Sequence, residues 1–554
     1  MTDPSSERDQ TLHPYVEFCF AADPVLASEQ GDHRRSDSLG DADADALAAQ
    51  ADARRRMLDA AEAEPVPADG SVAWLEHQVL LTELRTAVAQ DEHVRAWQRA
   101  PYWYPERLGD ALSVLMAGGD PAEQGRALLG RLRQIPGYLV TAKANLTTDT
   151  PPLWAEMGQA SATGLSRFLG TAVTGFAGTL PSSLAADVTA AAAAAQPGVQ
   201  DFASWCAELA GRGTGRWQGG REYFDRLLRD FQHLDVDADG LAESGRQRVD
   251  AEQAHLDEFA AVLDPARGWR EQIDAVKSDH PEPADLLQAY GSAMRDAARH
   301  TEQADLLAVP DGETCVMDWV PEYRREGLPL GCMATSPPFA PGLRSEFLIT
   351  PNDPAAPEPQ RAQHMRDNCF VFISSIAGHE TYPGHHLQAV HHKLGTPVGS
   401  IRRFVRSPQF VEGWGLYTED LLEESGFMRD DRVRLFKRRN ALWRALRIVI
   451  DTGLHTSALT VPQAVDLLVD RAGMDRHMAA GEVRRYTRHD NPTYPSSYAL
   501  GRDGFHRVRE WARVREGAGF SLRSFHDRLL SFGSPPVALV GRVLDAEDPL
   551  PHRD

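Results

Sequence analysis

The sequence predicts a mainly α protein, a large helical fold with a small β-sheet beside a deep cleft. Three observations carry that expectation. Apolar residues recur at helical spacing through most of the chain, as in W-L-E-H-Q-V-L-L-T-E-L-R-T-A-V from Trp74 to Val88. Between residues 310 and 350 the pattern changes to short β-branched or aromatic runs bounded by Pro and Gly. The apolar stretch Phe370–Ala377 then runs into G-H-E-T-Y-P-G-H-H-L-Q, Gly378 to Gln388. A His-Glu pair at the end of an apolar helix, trailed by further His, is how many zinc hydrolases bring a metal and its general base together.

The 554 residues allow two to four average domains, or one large helical peptidase around a single cleft. Lys and Arg total 58 against 80 Asp and Glu, a net charge of −22. That balance disfavours nucleic acid and anionic membrane surfaces as partners and admits a cationic or neutral substrate more easily. The cysteines Cys19, Cys206, Cys315, Cys332 and Cys369 are odd in number, widely spaced and without a C-x-x-C pair. A disulfide framework and a cysteine zinc site are therefore not expected. No basic segment followed by an apolar one opens the chain and no run of 18 apolar residues occurs, so a cytoplasmic location is expected. Nothing in the sequence fixes the oligomeric state.

Taken in order, residues 41–90 predict helices packed on helices. Pro101-Tyr102-Trp103-Tyr104-Pro105 interrupts them, as a packed corner or, alternatively, a cleft lining. Helical patterns follow over 121–144 and 152–175, then an Ala-rich helix that Gln196-Pro197-Gly198 is expected to end. The glycine cluster in R-G-T-G-R-W-Q-G-G, Arg212 to Gly220, marks a soft boundary between an N-terminal helical region, 1–215, and a metal-binding catalytic region, 216–554. Asp235-Val236-Asp237-Ala238-Asp239-Gly240 imitates the start of a calcium loop, but the twelfth position is Arg246, where the loop needs Glu. It predicts a helix N-cap instead. T-C-V-M-D-W-V and F-L-I-T predict strands, and Arg344–Thr350 is a candidate edge for an extended peptide.

The His-Glu string is not the plain H-E-x-x-H. Pro383 stands four after His379, where its ring clashes with the preceding turn and breaks or kinks a helix, and Gly384 follows. His385 and His386, at i+6 and i+7, share an ion with His379 only if the helix is distorted there. A third ligand is expected some 20–35 residues further on, and Glu412, 27 after His385, meets this in V-E-G-W-G-L-Y-T-E. Gly413 and Gly415 would let that helix approach the His379 helix closely.

H-E-T-Y-P-G-H-H-L-Q, E-G-W-G-L-Y-T-E and F-H-D-R-L-L-S-F-G-S-P-P, from Phe525, resemble the bacterial domain of unknown function 885, over nearly the whole chain from Ala21. That family is similar to the gluzincin metallopeptidases, helical zinc enzymes with H-E…H…E ligands. The resemblance implies Zn2+ held by His379, His385 and Glu412, with His386 as the alternative to His385 or as a substrate contact. Glu380 would serve as general base. Glu419, seven after Glu412, is a candidate to hydrogen-bond the outer nitrogen of a ligand His. Asp451 and His455 share a helix face four residues apart, a spacing that could bind a second metal or supply an alternative third ligand; His455 is a candidate to hold an oxyanion, and Asp451, like Glu419, to support the ligands from behind. Tyr498 is a second oxyanion donor, Arg502 a candidate for a substrate carboxylate, with Arg447 and Arg485 weaker ones. His526 is expected to be structural. The expected function is zinc-dependent hydrolysis of a peptide or amide bond. The alternatives are a metallohydrolase of a non-peptide amide and a catalytically inactive peptide-binding scaffold.

Overall fold

Helices predominate in the computed structural model, which describes residues 11–320, 325, 328 and 330–546. The fold is mainly α with a small three-stranded sheet. The chain divides into two units. The first comprises residues up to Pro65, Leu80–Gly219 and Pro337–Ala340; the second comprises Val66–Val79, Gly220–Ser336 and Pro341 onward.

In the first unit α1 (Pro121–Asn145) and α2 (Pro152–Phe168) both pack against α3 (Ser182–Arg212). Contrary to the expectation of a stop at Pro197, α3 continues through it. A proline inside a helix costs about 3 kcal/mol. Val188, Ala192, Ala195, Val199, Phe202, Cys206 and Leu209 are all buried along one face, on both sides of Pro197, and their packing outweighs that cost. Tyr102 and Tyr104 are fully buried, Tyr102 edge-on to Trp154, so the Pro-flanked aromatic run is a packed corner.

In the second unit Asp237 caps α4 (Ala238–Leu263), accepting from the Gly240 N–H, which is what its calcium-loop imitation is used for. Next come α5 (Leu286–Gln303) and the strands β1 (Glu313–Trp319), β2 (Gly331–Ala334) and β3 (Leu343–Ile349). The spatial order is β1-β3-β2, with β1 parallel and β2 antiparallel to β3. This corrects the edge-strand expectation. β1 pairs β3 along its whole length and β2 pairs its other side over Glu346–Ile349, so that stretch cannot accept a peptide by strand addition, and there the edges belong to β1 and β2. Phe347 and Ile349 of β3 join Leu286, Tyr290, Met365 and Ile373 in one apolar cluster that seats the sheet on α5 and on α6 (Phe370–Glu380).

Beyond α6 lie α7 (His385–Gly395), α8 (Pro408–Glu424), α9 (Asp431–His455), α10 (Arg476–Tyr486) and α11 (Tyr494–Glu516). α9 packs along α4, and α8 along α11. The second of these packings is backbone-close: a Cβ added to Gly413 would meet Gly501 Cα at 2.5 Å, and one on Gly501 would meet Gln409 O at 1.9 Å. Gly413 therefore serves the α8–α11 packing and not, as expected from the sequence, the approach to His379.

Candidate metal centre

The apolar helix α6 ends at Glu380, and the chain turns through Thr381–Gly384 before α7 begins at His385. The Tyr382–Pro383 peptide is cis. The distortion expected at Pro383-Gly384 is thus a complete break into two helices. Gly384 is required by close approach: its N–H donates to Gly378 O at 3.1 Å, and an added Cβ would sit 1.8 Å from His379 O. The break turns His385 back toward His379, with ring centroids 4.8 Å apart and planes at 90°. Trp414 of α8 donates its indole N–H to Pro383 O at 2.9 Å, tying the turn to the helix that carries Glu412.

Nitrogens of His379 and His385 and an oxygen of Glu412 all lie within 4.8 Å of one another, a constellation that can hold a metal ion. His379 Nδ1 meets Glu419 Oε1 at 2.7 Å, which leaves Nε2 for a ligand bond, the usual arrangement in which a carboxylate orients a ligating imidazole. Gly415 makes room for that ring, since its Cβ would lie 2.6 Å from His379 Nε2. His385 Nε2 is 3.8 Å from Glu412 Oε2, while its Nδ1 faces Gln388 Oε1 at 3.4 Å. Two imidazoles and a carboxylate suit zinc. Zinc–ligand bonds of about 2.1 Å give a tetrahedral edge of about 3.4 Å, so binding would draw the three donors slightly together.

Electrostatics separate the two imidazoles. Burial works against a charged His379, yet the Glu419 carboxylate outweighs it and raises the ring above its ordinary value. Burial, and then His379 itself, push His385 down. Burial also works to raise Glu412, but His385, His379 and the Tyr494 hydroxyl hold it below its ordinary value. Half-buried Glu380 lies within electrostatic reach of both imidazoles and has no hydrogen-bond or ion-pair partner among the described residues.

Other candidates fall elsewhere. His386 is not a third donor: its Nδ1 meets Ser345 Oγ at 2.9 Å and its Nε2 meets Glu313 Oε2 at 2.5 Å, so both nitrogens are taken on the sheet side. His455 cannot hold an oxyanion, because it is fully buried, stacked on Phe224, with Nε2 against Tyr486 O at 3.1 Å. Asp451 is no metal ligand. It accepts from the N–H groups of Thr493 and Ser496, both at 3.2 Å, and from Ser496 Oγ at 2.6 Å, fixing the start of α11. Arg502 is paired with Asp420 at 3.1 Å, which also receives His506 and Lys437, so it is not available to a substrate. His526 is buried between Tyr417 OH and Leu306 O, a structural place as expected.

Tyr498 does stand beside the donors, with its hydroxyl 3.4 Å from that of Tyr494. Tyr494, which no sequence expectation singles out, donates to Glu412 Oε1 at 2.9 Å. Its signal is the i, i+4 spacing of the two tyrosines in Y-P-S-S-Y, which puts both on one helix face.

Residues 24–544 match the family described as "Bacterial protein of unknown function (DUF885)". The chain belongs to this family. No curated protein matches it. Among solved structures, this DUF885 chain is similar to a "putative lipoprotein of unknown function" from Shewanella oneidensis, at TM-score 0.78 and 18% identity over 96% of this chain and 98% of that one. It is similar as well to a "putative lipoprotein" from Colwellia psychrerythraea, at TM-score 0.80 and 18% identity over 95% and 96%. These likenesses show the fold. An M32 carboxypeptidase from Deinococcus radiodurans R1 overlaps only at TM-score 0.40 and 11% identity, over 90% of this chain and 86% of that one, below the level of a shared fold. The lipoprotein names of the two fold-mates overturn the cytoplasmic expectation, which rested on the absence of a recognisable leader. No described helix is long and apolar enough to cross a membrane.

Proposed function

We propose that this DUF885 protein is a zinc-dependent hydrolase of a peptide or small amide substrate, with His379, His385 and Glu412 as the ligands. The observation that carries the reading is the convergence of two buried imidazoles and a carboxylate, one imidazole tethered by Glu419, next to a carboxylate, Glu380, left without a partner. When bound there, zinc supplies Lewis acidity that brings the pKa of water toward about 7 and polarises a carbonyl. Glu380 accepts the proton of the attacking water at its carboxylate and returns it to the leaving amine. Tyr498 donates its hydroxyl hydrogen toward the developing oxyanion. Tyr494 holds Glu412 in place from the same helix, and Asp451 holds the start of that helix. Trp414 keeps the Pro383 turn against α8, so the two His-bearing helices keep their relative setting.

The test is metal content against turnover. About one zinc per chain is expected, lost in Glu412→Ala and kept in Glu380→Gln, since the base is not a ligand. Glu380→Gln should lower kcat by a factor on the order of 10²–10⁴ toward a panel of dipeptides and acylated amines. Equal metal loss in both variants, or zinc-loaded protein inert toward the whole panel, would sink the reading.

A further inference from the structure

Beside the tyrosines that border Glu412 lies a group of arginines whose positive charge the described residues do not balance. Arg444 and Arg447 stand one turn apart on α9, and Arg485 ends α10. The guanidinium carbon of Arg447 lies 4.4 Å from the centre of the Tyr498 ring, that of Arg444 5.8 Å from the same ring, and that of Arg485 5.9 Å from the Tyr494 ring. Arg444 and Arg447 both stack on the Trp443 ring as well, at 4.0 and 4.5 Å from its centre. Against these three cations stand two carboxylates: Glu482, which takes Arg447 Nη2 at 3.1 Å, Arg485 Nη2 at 3.1 Å and the Tyr486 hydroxyl at 2.7 Å, and Glu419, which acts on Arg444 through space without a hydrogen bond.

The donors are left over as well as the charge. Arg447 is only 3% exposed, yet its Nη1 has no acceptor among the described residues. Nε and Nη1 of Arg444, Nε of Arg485 and Nε1 of Trp443 are likewise buried without one. Arg444 makes no hydrogen bond or ion pair among the described residues. A buried donor left unmade, and a buried charge above all, is unfavourable enough that folded chains normally satisfy it. Half-buried Arg444, Arg485, Tyr494 and Tyr498 let the arginine group be reached from solvent.

We propose that Arg444, Arg447 and Arg485 form an anion subsite for a carboxylate of the substrate, so that the bond offered to the metal centre belongs to a peptide or amide bearing a free carboxylate nearby. The proposal rests on the hydrolase reading for its substrate and on the arginines alone for its anion. Guanidinium forks match a carboxylate in bidentate fashion, and aromatic faces keep the three planes set before the ligand arrives. Arg444 has the most to gain, since it has no partner to give up.

The probes are N-acetyl-Ala-Ala, its C-terminal amide, and the amide of N-acetyl-Ala-Asp, measured by calorimetry on the full chain, zinc-loaded and after dialysis against a chelator. Tighter binding of an acid over the neutral amide, by tenfold or more and in both metal states, is expected; which acid wins tells whether the end of the chain or a side chain is held. In Arg444→Met the acid-to-amide ratio should fall about tenfold, with partial return in Arg444→Lys, and Arg485→Met should act in the same direction. Arg444 gives up no hydrogen bond, so its variants should fold. Equal binding of acids and amide overturns the subsite, as does a loss in Arg444→Met that falls equally on both. Inorganic phosphate binding tighter than either acid also overturns it, in favour of a phosphorylated ligand. An acid preference without hydrolysis leaves the subsite standing and sinks the hydrolase reading; hydrolysis without acid preference does the reverse.

Discussion

His385 and His386 are neighbours in the chain and are both buried, yet they belong to two different regions. Successive residues on a helix point about 100° apart. On one side of α7, His385 faces His379 and Glu412, and its Nε2 makes no hydrogen bond among the described residues. On the other, His386 is held at both nitrogens by Ser345 of β3 and Glu313 of β1. Burial and nearby carboxylates are common to both regions. What separates a candidate ligand from a structural histidine is the nitrogen that the fold leaves unused.

The largest expected effect tests that contrast directly. His385→Ala should remove bound zinc while the protein remains folded, because no hydrogen bond depends on its Nε2. His386→Ala should keep zinc at about one per chain and instead lower the unfolding free energy by about 2 kcal/mol, since it removes the hydrogen bonds that its two nitrogens make to Glu313 and to the buried Ser345 hydroxyl. Metal analysis and denaturant unfolding of the two variants give the answer. Zinc lost in His386→Ala and retained in His385→Ala would exchange the regions' roles.

The next effect separates two glycines of α8 that look alike in E-G-W-G. A methyl group on Gly415 would press on the His379 ring at 2.5 Å, whereas one on Gly413 would press on the backbone of Gly501 at 2.5 Å. Gly415→Ala should therefore weaken zinc binding by tenfold or more. Gly413→Ala should lower stability by about 1–3 kcal/mol, the usual range for overpacking, with zinc affinity nearly unchanged. Competition with a chelator and a thermal melt on each variant would show a crossed pattern; parallel losses would mean that α8 moves as one body.

The predominance of helix, the strands β1 and β3, and the break at Pro383-Gly384 are all legible in the sequence, because periodicity and proline stereochemistry are local properties. So are His379, His385 and Glu412 as a convergent set, since the spacing and the broken helix leave few ways to converge. What is not legible depends on neighbours distant in sequence. Nothing local says that β2 will cover the second side of β3, or that Pro197 will be carried by the packed face of a long helix. His455 and Arg502 carry the right chemistry for their expected roles; only tertiary packing reveals the Tyr486 carbonyl and the Asp420 carboxylate that occupy them. Tyr494 escapes for the converse reason, its partner Glu412 lying 82 residues away.

A smaller effect concerns the tether on the metal side. Glu419→Gln keeps the shape at His379 Nδ1 but exchanges a carboxylate for an amide, so the imidazole loses its charged acceptor and part of its orientation. Zinc affinity should fall by about 10–100-fold, as for other outer partners of ligand histidines. An unchanged affinity would mean that packing against Gly415 alone sets the ring.

A last contrast uses a third buried histidine, away from both regions. Asp451 and His455 approach to 3.9 Å, both fully buried. Burial pushes the Asp451 carboxyl up from 3.8 to about 7, and burial pushes His455 down from 6.5 to about 4. The signs of their linkage are opposite. Between pH 3.8 and about 7 the native Asp451 keeps a proton that the unfolded chain has released, so its contribution falls as pH rises. Between about pH 4 and 6.5 the native His455 lacks a proton that the unfolded chain binds, so its contribution rises with pH. In the wild type the two slopes largely cancel. Asp451→Asn removes the falling part, and its stability relative to wild type should climb from pH 4 to 7, by up to about 4 kcal/mol at one unit of pKa per 1.36 kcal/mol. His455→Gln should show the mirror image, declining relative to wild type from pH 4 to 6.5 by up to about 3 kcal/mol. Urea unfolding of the three proteins at half-unit pH steps reads both difference curves, and slopes of the same sign in the two variants would refute the assignment of a protonated Asp451 beside a neutral His455.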